Sequence, residues 1–335
     1  MTNLELKLEG RSYNIYIGNG LIGNANRLFN LDRRVFIVTD SGVPKEYSQA
    51  VAGICKSAVT VTVNEGEGSK SIATLERLLT EMAKFEMGRT DCVVAVGGGV
   101  VGDLAGFAAS VYMRGIDFYN VPTTLLSQLD SSIGGKTAIN LGGIKNVVGA
   151  FHQPRGVIID TDVLKTLPKR QISAGLAEGI KLALTSDKEL FENIESLDKL
   201  DNDAMEKIIV ASLKIKKAVV EEDERECGNR RILNFGHTLG HGIEAFGGLY
   251  HGECVALGMI PMCEESVRER LLGVLSKFDL PTKPECDIDS ALALVLHDKK
   301  RTENGVVAVL VDSVGGCKLE KMSFQDFGEL VKKTF

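Results

Sequence analysis

The chain has 335 residues, 44% hydrophobic and 25% charged, with 39 Lys plus Arg against 45 Asp plus Glu for a formal charge of −6. That length suits two domains of ordinary size, and the composition excludes a disordered or fibrous chain. The mild acidity gives no electrostatic footing for nucleic acid or an anionic membrane surface.

The opening MTNLELKLEGRSYNIYIG alternates apolar and polar residues and predicts a pair of strands. It has no basic start followed by an apolar stretch, so no signal peptide is expected. VFIVTD (35–40) reads as a buried parallel strand, and Ser57 to Val63 as another. The loop NEGEGSK then leads into a helical stretch, IATLERLLTEMAKFEM, and DCVVAVGGG (91–99) forms a strand running into glycines. Strands alternating with helices predict a Rossmann-like α/β domain with a mostly parallel sheet over residues 1–160. From about Leu164 long helical patterns take over, notably LKTLPKRQISAGLAEGIKLALTS and DAMEKIIVASLKIKKAVVEEDERE, until GVVAVLVD (305–312). Residues 161–335 are therefore expected to form a mainly α-helical second domain. The most apolar region, Val93 to Tyr112, is broken by Asp103 and several glycines and is no membrane span. Seven scattered cysteines without a C-x-x-C pair argue for reduced thiols and a cytoplasmic protein.

GGGVVGD (97–103) follows a strand, opens a helix and contains G-x-G-x-x-G. Glycines there let backbone approach a pyrophosphate at a helix N-terminus, though they would equally serve close helix–sheet packing. Asp40, and Glu67 with Lys70, also follow strands, where ligands of doubly wound sheets lie. The stretch VPTTLLSQLDSSIGGKTAINLGGIKNVVGAFHQP (121–154) is polar and Gly-rich, too long for an idle surface loop, and its Lys136 and Lys145 suit an anion.

Three of the five histidines fall within RRILNFGHTLGHGIEAFGGLYHGECVALG. His237 and His241 are four apart and share a helix face, with His251 beyond a glycine turn. Neutral imidazoles joined by a carboxylate make a catalytic metal site. Glu178 is the candidate carboxylate, on an apolar helix with Lys181 one turn on. Arg230, Arg231 and Asn234 precede the histidines and could contact an anion.

Together GGGVVGDLAGF, VPTTLLSQLDSSIGGKTAIN, GLAEGIK, LNFGHTLGHGIE and HGECVALGM resemble, in order and spacing, the 3-dehydroquinate synthases of the sugar-phosphate cyclase superfamily. The resemblance implies a homodimer using NAD and one divalent metal, zinc or cobalt. It puts the metal on Glu178, His237 and His251, and His241 beside the substrate. The NAD positions it implies are Asp40, Glu67, Lys70, Gly98, Gly99, Val100, Val101, Gly102, Asp103, Thr123, Thr124, Lys136, Lys145, Val163 and Thr166. The catalytic set it implies is Asp130, Lys136, Asn146, Glu178, Lys181 and His241. Arg114, Lys216, Arg230, Asn234 and one of Lys299 and Lys300 would bind the sugar-phosphate substrate. Gln171 is a departure, standing where many relatives carry an acid near the cofactor. The implied reaction turns 3-deoxy-D-arabino-heptulosonate 7-phosphate into 3-dehydroquinate and phosphate. The alternatives are another sugar-phosphate cyclase or an NAD- and metal-dependent polyol dehydrogenase.

Overall fold

The structure is a computed structural model describing residues 1–299 and 305–335, the side chains of 296–299 excepted. The chain divides into two units, Met1–Leu167 and Pro168–Phe335. The division falls a few residues past the expected boundary, where Pro168 precedes the first long helix.

The first unit runs β1 (Thr2–Leu6), β2 (Tyr13–Gly18), β3 (Arg34–Asp40), α1 (Lys45–Gly53), β4 (Ser57–Val63), α2 (Ile72–Lys84), β5 (Cys92–Gly97), α3 (Gly99–Val111), β6 (Asp117–Pro122), β7 (Lys136–Leu141), β8 (Ile144–Phe151) and β9 (Gly156–Asp160). Seven of these strands form one sheet in the order β1-β2-β9-β6-β5-β3-β4. Only β1 pairs antiparallel, as the expected N-terminal strand pair; every other pairing is parallel. The interior strands read as continuous apolar runs because helices cover both faces: β5 and β9 are buried at every position. Phe36 and Val38 of β3, Val93 and Ala95 of β5, Leu78 of α2 and Leu104 of α3 share one core.

From β3 the chain moves outward to β4, then returns to β5 and continues the other way to β6. The carboxyl ends of β3 and β5 therefore flank the topological switch point, where open α/β sheets bind ligands. Asp40 ends β3, and the Gly98–Gly99 turn follows β5.

The polar stretch 121–154 is not the loop its composition suggests. Beyond β6 it makes a π-helical turn (Ser127–Ser131) and then the antiparallel hairpin β7–β8. Gly142 and Gly143 turn that hairpin at φ 60° and 81°, conformations that favour glycine. Ile139 points into the core while β8 is largely exposed, so no long apolar run marks either strand.

The second unit is mainly helical: α4 (Lys169–Ser186), α5 (Lys188–Ser196), α6 (Asn202–Glu222), α7 (His237–Glu244), α8 (His251–Met259), α9 (Glu265–Lys277), α10 (Ile288–Lys299) and α11 (Phe324–Thr334). Between the last two, β10 (Val306–Ser313) pairs with β11 (Gly316–Met322). The sequence shows β10 clearly but not β11, where Lys318, Glu320 and Lys321 are exposed and leave no apolar run.

Candidate functional site

In the second unit, α4 is buried from Ser173 to Thr185 and carries Glu178 and Lys181, each 1% exposed. Their i,i+3 spacing puts both on one face, with Lys181 Nζ 2.5 Å from Glu178 Oε2. His237 opens α7 and His251 opens α8. Two glycines set these helices at backbone contact. A Cβ on Gly252 would lie 1.8 Å from the Ala174 carbonyl oxygen, and one on Gly258 would lie 1.9 Å from that of Gly236. The ligand spacing is thus fixed by main chain.

The result is a convergent donor set. His237 Nε2 lies 3.8 Å and His251 Nε2 3.7 Å from Glu178 Oε1. Metal–ligand bonds of 2.0–2.2 Å in a tetrahedral shell separate neighbouring donors by about 3.4 Å. The three groups need therefore close by only a few tenths of an ångström around an ion. Oε2 is paired with Lys181, but Oε1 accepts no hydrogen bond among the described residues, although the carboxylate is buried. A buried carboxylate in that state calls for a cation. His237 Nδ1 faces the Phe235 carbonyl at 3.1 Å, which leaves Nε2 as the lone-pair nitrogen. Burial, with Lys181 and the two other imidazoles adding to it, pushes its pKa well below the usual range and keeps it neutral. For His251 burial acts the same way, but Glu244 and Glu178 outweigh it and raise its pKa. Two imidazoles and a carboxylate fit zinc or cobalt.

His241 is exposed, its ring 5.5 Å from that of His237 and 5.8 Å from that of His251. His241, Glu244 and His251 form a second donor group sharing His251 with the first. Lys216 and Arg230 are buried cations in this unit. Asp223 holds the loop leading to Arg230, accepting from the amides of Cys227, Gly228 and Arg230. Asn234 is exposed and donates to Glu226. Lys300 and the side chain of Lys299 lie outside the described residues.

In the first unit Lys70, only 3% exposed in its side chain, gathers three other expected residues. Its ammonium sits 2.7 Å from Asp103 Oδ2 and 3.5 Å from Glu67 Oε1, and donates to Asn146 Oδ1. Asn140 completes the cluster: it donates to Glu67 Oε1 and accepts the Asn146 amide, each at 2.8 Å. Sequence reasoning gave Asn140 no role. Its contacts join the loop at Glu67–Lys70 to the β7–β8 hairpin, two segments far apart in the chain, and no local pattern reports that.

The glycines of the turn after β5 have a packing reason. A Cβ on Gly98 would meet Thr124 at 2.9 Å, on Gly99 Ser131 at 3.0 Å, and on Gly102 Asn120 at 3.2 Å. What points to a phosphate is the N-terminus of α3 at the switch point, where the first amides of a helix lack intrahelical acceptors. Val101 and Val163 are buried, and Val100 is half-buried. Thr123 is buried against Gly97, Thr124 caps the amide of Ser127, and Thr166 shares its hydroxyl with Tyr47 and the Val163 carbonyl. Asp40 accepts from Gly42 and Val43, and burial raises its pKa despite those bonds. Asp130 is half-buried in the π-helical turn, Lys136 and Lys145 are exposed on the hairpin, and Arg114 is exposed on a turn at φ 69°.

Comparison with known proteins agrees with this arrangement. The family model described as 3-dehydroquinate synthase N-terminal matches residues 60–174, and the one described as 3-dehydroquinate synthase C-terminal matches 175–301. A 3-dehydroquinate synthase of Clostridium beijerinckii is 40% identical over 98% of this chain and 100% of its own. One of Methylacidiphilum infernorum is 42% identical over 93% of this chain and 92% of its own. Among solved structures, a 2-deoxy-scyllo-inosose synthase complexed with carbaglucose-6-phosphate, NAD+ and Co2+ superposes with a TM-score of 0.90 at 27% identity, covering 100% of both chains. A 2-epi-5-epi-valiolone synthase from Streptomyces hygroscopicus with NAD+ and Zn2+ bound gives 0.87 at 27%, covering 98% of each. A probable glycerol dehydrogenase from Sinorhizobium meliloti, 17% identical with a TM-score of 0.63, shares the fold alone. The chain belongs to the 3-dehydroquinate synthase family.

Proposed function

We propose that this chain converts 3-deoxy-D-arabino-heptulosonate 7-phosphate to 3-dehydroquinate and phosphate, as an NAD- and divalent-metal-dependent lyase. The observation that carries the reading is Glu178, whose Oε1 faces two imidazole nitrogens while Oε2 faces Lys181. When bound, the nicotinamide supplies a reversible hydride acceptor and the metal a Lewis acid for the substrate alcohol.

Each unit has its own part. In the second, Glu178, His237 and His251 hold the ion, and Lys181 holds a proton beside the same carboxylate and orients a substrate hydroxyl. Arg230 and Lys216 are two buried cations suited to a carboxylate, which favours this substrate over the carboxylate-free sugar phosphates of other cyclases. His241, exposed near the triad, donates to the phosphate, and Asn234 binds the hydroxyls. In the first unit, the turn at Gly98 to Gly102, with Asp40, Glu67, Lys70, Asp103, Thr123, Thr124, Lys145 and Thr166, holds the dinucleotide. Lys136 and Asn146 contribute to phosphate recognition, and Asp130 and Arg114 to the rest of the substrate. An oxygen of the phosphate itself takes the neighbouring C–H proton as the phosphate leaves with the bonding electron pair, and the cations stabilise its charge.

We place this work in the cytoplasm, as a homodimer. None of the seven cysteines is in a disulfide, and no helix among the described residues is long and apolar enough to cross a membrane. The test is phosphate release from the heptulosonate phosphate with NAD and zinc, with and without a chelator. Chelator-sensitive release without NADH accumulation supports the synthase. Steady NADH build-up on a polyol would move the protein to the dehydrogenases, and silence from metal-loaded protein to the other cyclases.

A further inference from the structure

The imidazole of His251 has two nitrogens and two carboxylates beside it. Nε2 lies 3.7 Å from Glu178 Oε1, and Nδ1 lies 3.3 Å from Glu244 Oε2. The main chain under this ring is fixed by other means. Glu253 accepts the Tyr250 amide at 2.7 Å and pairs with both Nε and Nη2 of Arg170, which also donates to the Gly248 carbonyl. That clamp seats the backbone at His251 but does not itself set the ring's tautomer. His237 has a carbonyl for the same purpose; for His251 the acceptor in place is Glu244. Glu244 follows His237 by seven residues, two turns on, so one face of α7 presents a metal donor and a partner for the other histidine.

We infer that Glu244 is a positioning residue. It accepts a hydrogen bond from Nδ1–H of His251, and so holds the lone pair of Nε2 toward Glu178. The inference rests on the metal reading above and adds to it a role for a residue that is not itself a ligand. The competing arrangement makes Glu244 a ligand together with His241 and His251.

Cobalt titration of the full chain, followed by visible absorption, decides between them. Glu244→Ala should weaken cobalt binding roughly 10–100-fold, the usual cost of losing such a partner, with the cobalt bands unmoved. Glu244→Gln should recover much of that loss, because its amide oxygen accepts the same bond. His241→Ala should bind cobalt as the unaltered chain does. In metal-free protein at about pH 9, above the imidazole range, nitrogen NMR should find His251 as the Nδ1–H tautomer, shifting toward Nε2–H in Glu244→Ala. Unchanged affinity and tautomer in Glu244→Ala would overturn the inference. So would cobalt bands that move in both Glu244→Ala and His241→Ala, since Glu244 would then be a ligand. Cobalt binding indifferent to Glu178→Gln and His237→Ala would sink the triad, and this inference with it. An intact triad indifferent to Glu244 sinks this inference alone.

Discussion

Glu178 divides its two oxygens: Lys181 stands 2.5 Å from one, and the imidazoles of His237 and His251 face the other. An ammonium so close to a carboxylate proposed to hold a metal both competes with the ion and stands in for it. Removing one partner of a buried ion pair costs about 3–5 kcal/mol, because the other charge is left uncompensated. Lys181→Met should therefore destabilise the metal-free protein by about that much and the metal-loaded protein by less. Thermal melts with zinc and with chelator check this; an equal loss in both states would refute the shared-carboxylate account.

Gly252 offers a steric counterpart. Its missing Cβ would sit 1.8 Å from the Ala174 carbonyl, backbone that has nowhere to go. Gly252→Ala should force α8 away from α4 and cost about 1–3 kcal/mol, as overpacking does. It should also weaken zinc binding, since the two helices carry His251 and Glu178. Gly273→Ala, where nothing lies within 4 Å of the added carbon, is the control. Urea midpoints and zinc affinity for both variants supply the comparison.

His152 gives a pH dependence away from the metal. Burial lowers its pKa, and its Nε2 lies 2.9 Å from the Ile116 carbonyl. A histidine depressed in the fold binds fewer protons than in the unfolded chain, whose value is about 6.5. Its contribution is thus fully present above about pH 6.5 and is lost as pH falls toward the depressed folded value. Urea midpoints from about pH 8 downward should fall more steeply for the natural chain than for His152→Asn, once other titrations common to both are subtracted. Parallel curves would contradict this.

The Lys70 cluster predicts non-additivity. Lys70→Met and Asp103→Asn each break the same 2.7 Å pair, so the double variant should cost less than the two losses added. A coupling of about 0.5–3 kcal/mol is the range for residues in one network. NAD titrations of the four proteins measure the same coupling in binding, and strict additivity would argue that Asp103 and Lys70 act separately.

Much of this was visible in the chain itself. The runs 35–40 and 91–99 became interior strands because a strand covered on both faces must be apolar throughout. The spacing of Glu178 and Lys181 put them on one helical face, as found. The hairpin β7–β8 escaped notice because one of its strands is exposed and glycines break its alternation. Asn140 and Glu244 escaped for a different reason: each matters through a partner on another element, and periodicity carries no information about which elements meet. His241 is the instructive case. It shares a helix face with His237, yet the nitrogens aimed at Glu178 belong to His237 and His251, whose helix starts are fixed by backbone contacts.

Those contacts between α4, α7 and α8 separate what such a chain must keep from what it can alter. The backbone positions from which Glu178, His237 and His251 project are set by glycines and carbonyls at helix crossings. His241 and Asn234 stand exposed nearby, outside that scaffold. On the function proposed above, such residues can be exchanged to greet a differently decorated sugar while the backbone joint that carries the proposed metal donors stays as it is.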